Sequence, residues 1–254
     1  MKFDNYLPSE QHDWPSTKRL DPRQLHRRRE SVFLAFAGLF LGTLAMLNLI
    51  GITRFLDLKL ALPFTDAVLP LPVAVGVLPY PLTFLCTDLI SELYGKSRAN
   101  LLVWIGLALN GWIVFILVVG GMLPGHPSPV FDGMRELALG AVLASMVAYL
   151  LAQFIDVKVF HYLKKKTKGK KLWLRNNGST LISQLIDTTA VILITHFYAD
   201  ALPIDSEMNV WPQLMHFIVA GYLFKLLAAL LDTLPFYWLS RRLKIYLRLP
   251  PGVE

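Results

Sequence analysis

Asp88 and Glu92 stand four residues apart inside an apolar stretch, a spacing that puts two carboxylates on one face of a helix with Ser91 beside it. Two carboxylates side by side away from water resist ionising together, so one of them is expected to hold a proton near neutral pH. That chemistry suits a proton-coupled carrier, and equally a site for a ligand rich in N–H donors. The plain alternative is that Glu92 pairs with Lys96 or Arg98 at the end of its helix. Asp187 lies mid-way along another apolar stretch, and a third holds Lys225 and Asp232, two turns apart on one face. A Lys225–Asp187 ion pair would cancel the cost of two buried charges. Asp232 is the competing partner of Lys225, and if it takes that place Asp187 is free to meet a ligand.

Gln184 precedes Asp187 by one turn, and Asn177 joins the same face if the helix reaches back that far. Amides and carboxylates together offer the donors and acceptors that the edge of a heterocycle requires. Gln153, Asp156, Asn176, Ser179 and Ser183 extend this polar set, and Phe84, Tyr94, Trp173, Tyr222 and Phe224 are candidates for a stacking face. Most aromatic side chains in such a chain are nevertheless packing or interfacial belt. No catalytic constellation is present. His161, His196 and His216 fall at the ends of apolar stretches, without His-Glu-x-x-His, Gly-x-Ser-x-Gly or Walker spacing. Neither a metal nor a cofactor is expected, and the chain by itself has no means of hydrolysing ATP.

These residues need elements that hold them in a membrane. The chain is 54% hydrophobic and 17% charged, with mean hydropathy +0.48, too apolar for an ordinary soluble domain of this length. An ionisable side chain at the bilayer centre costs at least about 2.5–3.5 kcal/mol, so each must face a partner or a polar cavity. The net charge of +7 does not point to nucleic acid, because the basic residues gather between the apolar stretches. Cys86, the single cysteine, lies within one of those stretches and excludes a disulfide framework.

A helix needs about 20 apolar residues to cross the hydrocarbon. The pattern predicts an all-α polytopic membrane protein with six transmembrane helices near residues 31–53, 72–93, 101–122, 136–155, 179–198 and 214–239. Repeated proline over residues 60–81 disfavours regular helix there, so that outer loop is expected to be re-entrant or extended. The second span then begins as late as Pro81. Lys and Arg number seven in the N-terminal tail, two in residues 95–100, eight between spans four and five, and four in the C-terminal tail. The other side holds only Arg54, Lys59 and Arg135, so both termini are expected to be cytoplasmic. Three parts follow: a disordered basic cytoplasmic tail (1–30) beside lipid headgroups, the six-helix transmembrane domain (31–245), and a short cytoplasmic tail (246–254). Residues 157–178, with Lys164–Lys166 and Trp173, read as a basic loop with an interfacial anchor. Spans one and four run in opposite directions, which permits a three-plus-three inverted repeat.

Leu78-Pro79-Tyr80-Pro81-Leu82-Thr83-Phe84, continuing through Thr87-Asp88-Leu89-Ile90-Ser91-Glu92-Leu93-Tyr94-Gly95-Lys96, resembles the signature of the queuosine precursor transporters, also called the VUT family. Two further blocks agree. One runs from Gln153-Phe154-Ile155-Asp156-Val157 and His161 through Leu172-Trp173-Leu174-Arg175-Asn176-Asn177-Gly178-Ser179-Thr180 to Ser183-Gln184-Leu185-Ile186-Asp187-Thr188; the other is Phe224-Lys225, Leu231-Asp232-Thr233 and Tyr237. The resemblance implies a six-helix importer of the inner (plasma) membrane serving tRNA modification. Its small-molecule substrates would be 7-cyano-7-deazaguanine and 7-aminomethyl-7-deazaguanine. In that light Asp88, Glu92, Asn177, Gln184, Asp187, Phe84 and Lys225 are the substrate-binding candidates. Asp88 and Glu92 are also the proton-coupling candidates, and Lys225, Asp187 and Asp232 the structural ion-pair set. A carboxylate accepts both N1–H and the exocyclic amine of a guanine-like edge, and an amide donates to O6. The rival readings are an intramembrane enzyme using the same carboxylates, and a substrate-capturing subunit of an ATP-driven vitamin-type transporter. The lipid bilayer is the one certain partner; the residues leave the oligomeric state open, a homo-oligomer included.

Overall fold

Helices make up most of the chain in the computed structural model, which describes residues 11–15, 18–61, 68–167 and 172–250. In chain order the elements are α1 (Pro22–Ile50), strands β1 (Phe55–Ala61) and β2 (Val68–Ala74), α2 (Tyr80–Tyr94), α3 (Lys96–Met122), α4 (Pro129–Lys166), α5 (Leu172–Phe197) and α6 (Val210–Tyr246). Local chemistry explains the boundaries. Pro81 occupies the first turn of α2, where its missing N–H costs nothing. Gly95, at φ +87, breaks α2 from α3 in a conformation that a side chain would strain. The Ser128 hydroxyl accepts from the Phe131 N–H at 3.3 Å, with Pro129 at the start and Asp132 in the first turn of α4. The Asn209 side chain accepts from the Trp211 N–H at 3.1 Å at the start of α6.

Among the described residues four helices are long and apolar enough to cross a membrane: Pro22–Ile50, Ser97–Met122, Pro129–Ala152 and Val210–Tyr246. The apolar part of α5, Leu181–Phe197, is shorter. Their outward faces suit lipid. Trp104 is 69% exposed, Leu234 77% and Tyr237 70%, a load of apolar surface that water would not tolerate. The protein is therefore a helical multi-pass membrane protein, with one antiparallel hairpin added.

That hairpin is where the expected span 72–93 departs from the structure. Residues 68–74 are strand, Val75–Val77 form a 3₁₀ turn, and α2 begins only at Tyr80. Its 15 residues make a helix about 22 Å long, short of a full crossing. The register sets Leu56 against Val73 and Leu58 against Leu71 on one face, and Asp57 against Pro72 and Lys59 against Pro70 on the other. Pro70 and Pro72 are two apart, so both missing donors fall on the same edge of β2, which a two-stranded sheet leaves unpaired. Proline here forbids helix and permits strand. Residues 62–67 lie outside the described residues.

Other boundaries move outward. α1 starts at Pro22, nine residues inside the expected tail, and α4 continues to Lys166 through nearly half of the expected basic loop. Lysine is a good helix former, so a basic run marks the side of the membrane without ending the helix. The C-terminal end of α6 likewise runs to Tyr246. Residues 1–10, 168–171 and 251–254 lie outside the described residues.

The chain divides into two compact units. Unit 1 comprises residues 1–45, 79–109 and 228–254, and thus holds most of α1, all of α2, the first half of α3 and the end of α6. Its core gathers Phe40, Cys86, Ile90, Leu93, Tyr94, Leu102, Leu247 and Leu249. Unit 2 comprises residues 46–78 and 110–227, with the hairpin, α4, α5 and the first half of α6. There Leu202, Leu214 and Phe217 form a buried cluster joined by Phe55, whose ring meets Phe217 edge-on at 5.6 Å.

Candidate functional site

Within unit 2, α5 and α6 carry the principal polar contact. Lys225 Nζ donates to Asp187 Oδ2 at 2.6 Å, with the two side chains 8% and 17% exposed. The helices approach closely because position 221 is glycine: a Cβ there would meet the Thr188 Cγ2 at 3.2 Å. Thr188 is buried and its hydroxyl turns back to the Gln184 carbonyl at 2.9 Å, so the contact between helices is made by its methyl group. Tyr222 donates to the Leu181 carbonyl at 3.2 Å across the same pair of helices. Gln184 lies one turn before Asp187 on α5 and is half-buried. Among the described residues no hydrogen bond occupies Asp187 Oδ1, which leaves an acceptor beside the ion pair.

Unit 1 holds the carboxylates of α2. Asp88 is exposed and has no ion-pair partner among the described residues. Glu92 is paired with Lys244 of α6; of the two alternative partners, the Lys96 side chain lies outside the described residues. Arg98 instead reaches Glu30 of α1 at 3.4 Å and lies over the Phe33 and Tyr94 rings. Sequence spacing favours neighbours along one helix, whereas packing brings the ends of α1 and α6 against α2. Two carboxylates competing for one proton thus become one carboxylate with a cation and one without. Asp232 lies within electrostatic reach of Asp88, and its Oδ2 is buried with no hydrogen-bond partner among the described residues. Lys225 has Asp187 as its carboxylate, and Asp232 is not its ion-pair partner.

Phe84 meets Tyr80 edge-on at 4.8 Å. Tyr94 is fully buried and donates to the Arg29 carbonyl at 2.8 Å, so it braces α1 and offers no stacking face. The side chains of Asn177, Asn176, Gln153, Asp156, His161 and Trp173 lie outside the described residues, although the backbone of α5 is helical from Leu172.

One polar cluster escaped the sequence reading. Asn48 of α1 donates to Asn110 Oδ1 of α3 at 2.7 Å, and the Ser145 hydroxyl of α4 donates to Asn48 Oδ1 at 3.2 Å. Both amides are buried in unit 2. The available signal was a lone asparagine within each of two otherwise apolar runs, which marks an interhelical bond in hydrocarbon.

Comparison with known proteins places this geometry in a family. The family profile described as "Putative vitamin uptake transporter" matches residues 74–239. A "Probable queuosine precursor transporter" of Bacillus subtilis (strain 168) is 29% identical over 174 residues, 63% of this chain and 68% of that protein. The "Queuosine precursor transporter" of Escherichia coli (strain K12) is 27% identical over 158 residues, 61% of this chain and 66% of that protein. A "Probable queuosine precursor transporter" of Haemophilus influenzae is 26% identical over 157 residues, with 61% and 62% covered. The chain thus spans about two thirds of the length of these relatives, which are named as transporters and not as enzymes. No solved structure matches.

Proposed function

Because the chain belongs to the vitamin uptake transporter family, we propose that it imports queuosine precursors, 7-cyano-7-deazaguanine and 7-aminomethyl-7-deazaguanine, across the inner (plasma) membrane. One observation carries this reading. The shared stretch 74–239 contains all of the candidate residues Phe84, Asp88, Glu92, Asn177, Gln184, Asp187, Lys225 and Asp232, and inside it Lys225 and Asp187 form a largely buried ion pair. The topology that goes with it has six spans and both termini in the cytoplasm. α1, α3, α4 and α6 cross in full, and α2 and α5 are the two shorter spans.

In this reading Asp187 and Gln184 address the heterocycle. Asp187 Oδ1 accepts from N1–H and the exocyclic amine, Gln184 donates to O6, and Asn177 completes the binding set. Lys225 holds Asp187 in place at 2.6 Å, so the ion pair orients the acceptor. Asp88 carries the proton that couples uptake to the gradient. Glu92 is held by Lys244 and contributes position.

The test is uptake of 7-cyano-7-deazaguanine into cells unable to synthesise it, read as queuosine in their tRNA. The intact chain is expected to rescue, and Asp187→Asn at equal membrane abundance is expected to fail. Asp88→Asn should retain binding and lose the response to an imposed pH gradient. A well-inserted chain that gives no rescue would overturn the substrate assignment, and an unchanged gradient response in Asp88→Asn would remove that residue from the proton path.

A further inference from the structure

The turn that follows α6 keeps its carbonyls from water. Helix termini leave their final C=O groups without intrahelical partners; here Leu243, Lys244 and Ile245 accept from the backbone N–H groups of Leu247, Leu249 and Arg248, and the carbonyls of residues 247–249 in turn accept from donors nearer the start of the chain. Arg29 of α1 donates from Nε to the Leu247 carbonyl at 3.1 Å and from Nη2 to that of Arg248 at 3.5 Å. The His12 N–H reaches the Arg248 carbonyl at 3.1 Å, and Trp14 Nε1 the Leu249 carbonyl at 3.2 Å. Arg248 answers by donating from Nη2 to the Lys18 carbonyl at 2.6 Å. Arg29, Arg248, Leu247 and Leu249 are all buried.

The segment that supplies these donors is itself closed. Gln11 bonds the Leu20 carbonyl at 2.7 Å and accepts from the Leu20 N–H at 3.2 Å, joining the two ends of a short loop. Inside it Arg19 pairs with Asp13 at 2.8 Å, and that hydrogen bond holds the Asp13 carboxyl below the usual carboxylate range. The receiving end shows a matching peculiarity. Arg248 adopts φ +56, a left-handed conformation usually left to glycine, and persists there because surrounding contacts over-determine it. Residues 11–15 and 18–20 and their receptor at 247–249 all fall outside the 74–239 stretch shared with the family.

We propose that residues 11–15 and 18–20 are parts of a strap that latches the end of α6 to the start of α1, an addition to the transporter core that restrains α6. Transport by alternating access requires packed helices to shift, so a latch between the first and last helices of unit 1 slows that shift. This consequence rests on the transport reading; the latch itself does not. Two variants test it, a chain lacking residues 1–20 and the milder Trp14→Ala. Amide hydrogen exchange on the purified full chain is compared with each, together with uptake per inserted molecule. Loss of the strap should speed exchange over residues 22–30 and 243–249 by about tenfold or more while the middle of α3 stays protected. Uptake should rise severalfold, with Trp14→Ala intermediate in both readouts. Unchanged exchange at those two segments would overturn the latch. Faster exchange with unchanged or reduced uptake would overturn the restraint. Absence of uptake by the unaltered chain would refute the transport reading alone, and the latch would then stand or fall on the exchange result.

Discussion

Replacing Lys225 by methionine keeps the length and packing of the side chain and removes the cation 2.6 Å from Asp187 Oδ2. The partners are 8% and 17% exposed, and Gly221 brings α6 against the buried Thr188, so water cannot readily replace the lost charge. Breaking a pair in such a setting costs about 3–5 kcal/mol, because the remaining carboxylate is buried without compensation. At roughly 1.4 kcal/mol per factor of ten, the folded population falls from about a hundredfold to several thousandfold relative to the unfolded. For a chain of this size the corresponding drop in Tm is about 6–20 °C. Lys225→Met combined with Asp187→Leu removes both charges, and such replacements are commonly neutral or stabilising. The double variant should therefore recover most of the loss. Thermal unfolding in detergent, followed for the parent, both single variants and the double, closes the cycle. Costs that simply add would refute the ion-pair argument, as would a loss of less than about 1 kcal/mol in Lys225→Met, the range of exposed pairs. Uptake then separates structure from recognition: a folded double variant that transports would show that Asp187 does not address the ligand.

Further outcomes follow from individual contacts. Gly221→Leu should destabilise by about 1–3 kcal/mol, the usual cost of overpacking, and lower uptake by parting α5 from α6, measurable in the same melt and transport assays. Gly76→Ala places a Cβ 2.5 Å from the Gly51 backbone, so it should displace the hairpin and appear as new protease cleavage near residues 51–76. Asn48→Leu should cost about 0.6–1.7 kcal/mol, the range of interhelical hydrogen bonds in membranes, and Asn48→Gln less if the longer amide still reaches Asn110. Glu92→Gln, at a partly exposed pair, should shift stability by less than about 1 kcal/mol and leave the gradient dependence of uptake intact.

Particular residues show how far the chain was legible in one dimension. The apolar runs and the basic segments between them identify a multi-pass helical membrane protein, because the hydrocarbon admits few solutions for a backbone that must satisfy its own hydrogen bonds. The blocks around Asp88, Asp187 and Lys225 were legible for a similar reason: charge at that depth is expensive and therefore conspicuous. Helix ends were harder. Lys164–Lys166 looked like a loop and lie in α4, since lysine reports which side of the membrane a segment occupies without ending a helix. The proline-rich segment was recognisable as non-helical, but its pairing in a hairpin depends on a partner strand that local propensity does not name.

Which charges meet was decided only in three dimensions. Spacing offered Lys225 both Asp187 and Asp232, and offered Glu92 both Lys96 and Arg98; packing gave Lys225 to Asp187, Glu92 to Lys244 and Arg98 to Glu30. The Asn48–Asn110–Ser145 cluster and the latch of residues 11–15 and 18–20 on the end of α6 join positions far apart in the chain. The amino-acid sequence by itself determined the solvent of this protein and the polar residues it would have to shelter, because hydropathy and the cost of buried charge are properties of each residue and its immediate neighbours. Tertiary structure alone decided the partners, because a hydrogen bond or ion pair needs two groups within about 3 Å, and helix packing sets that distance.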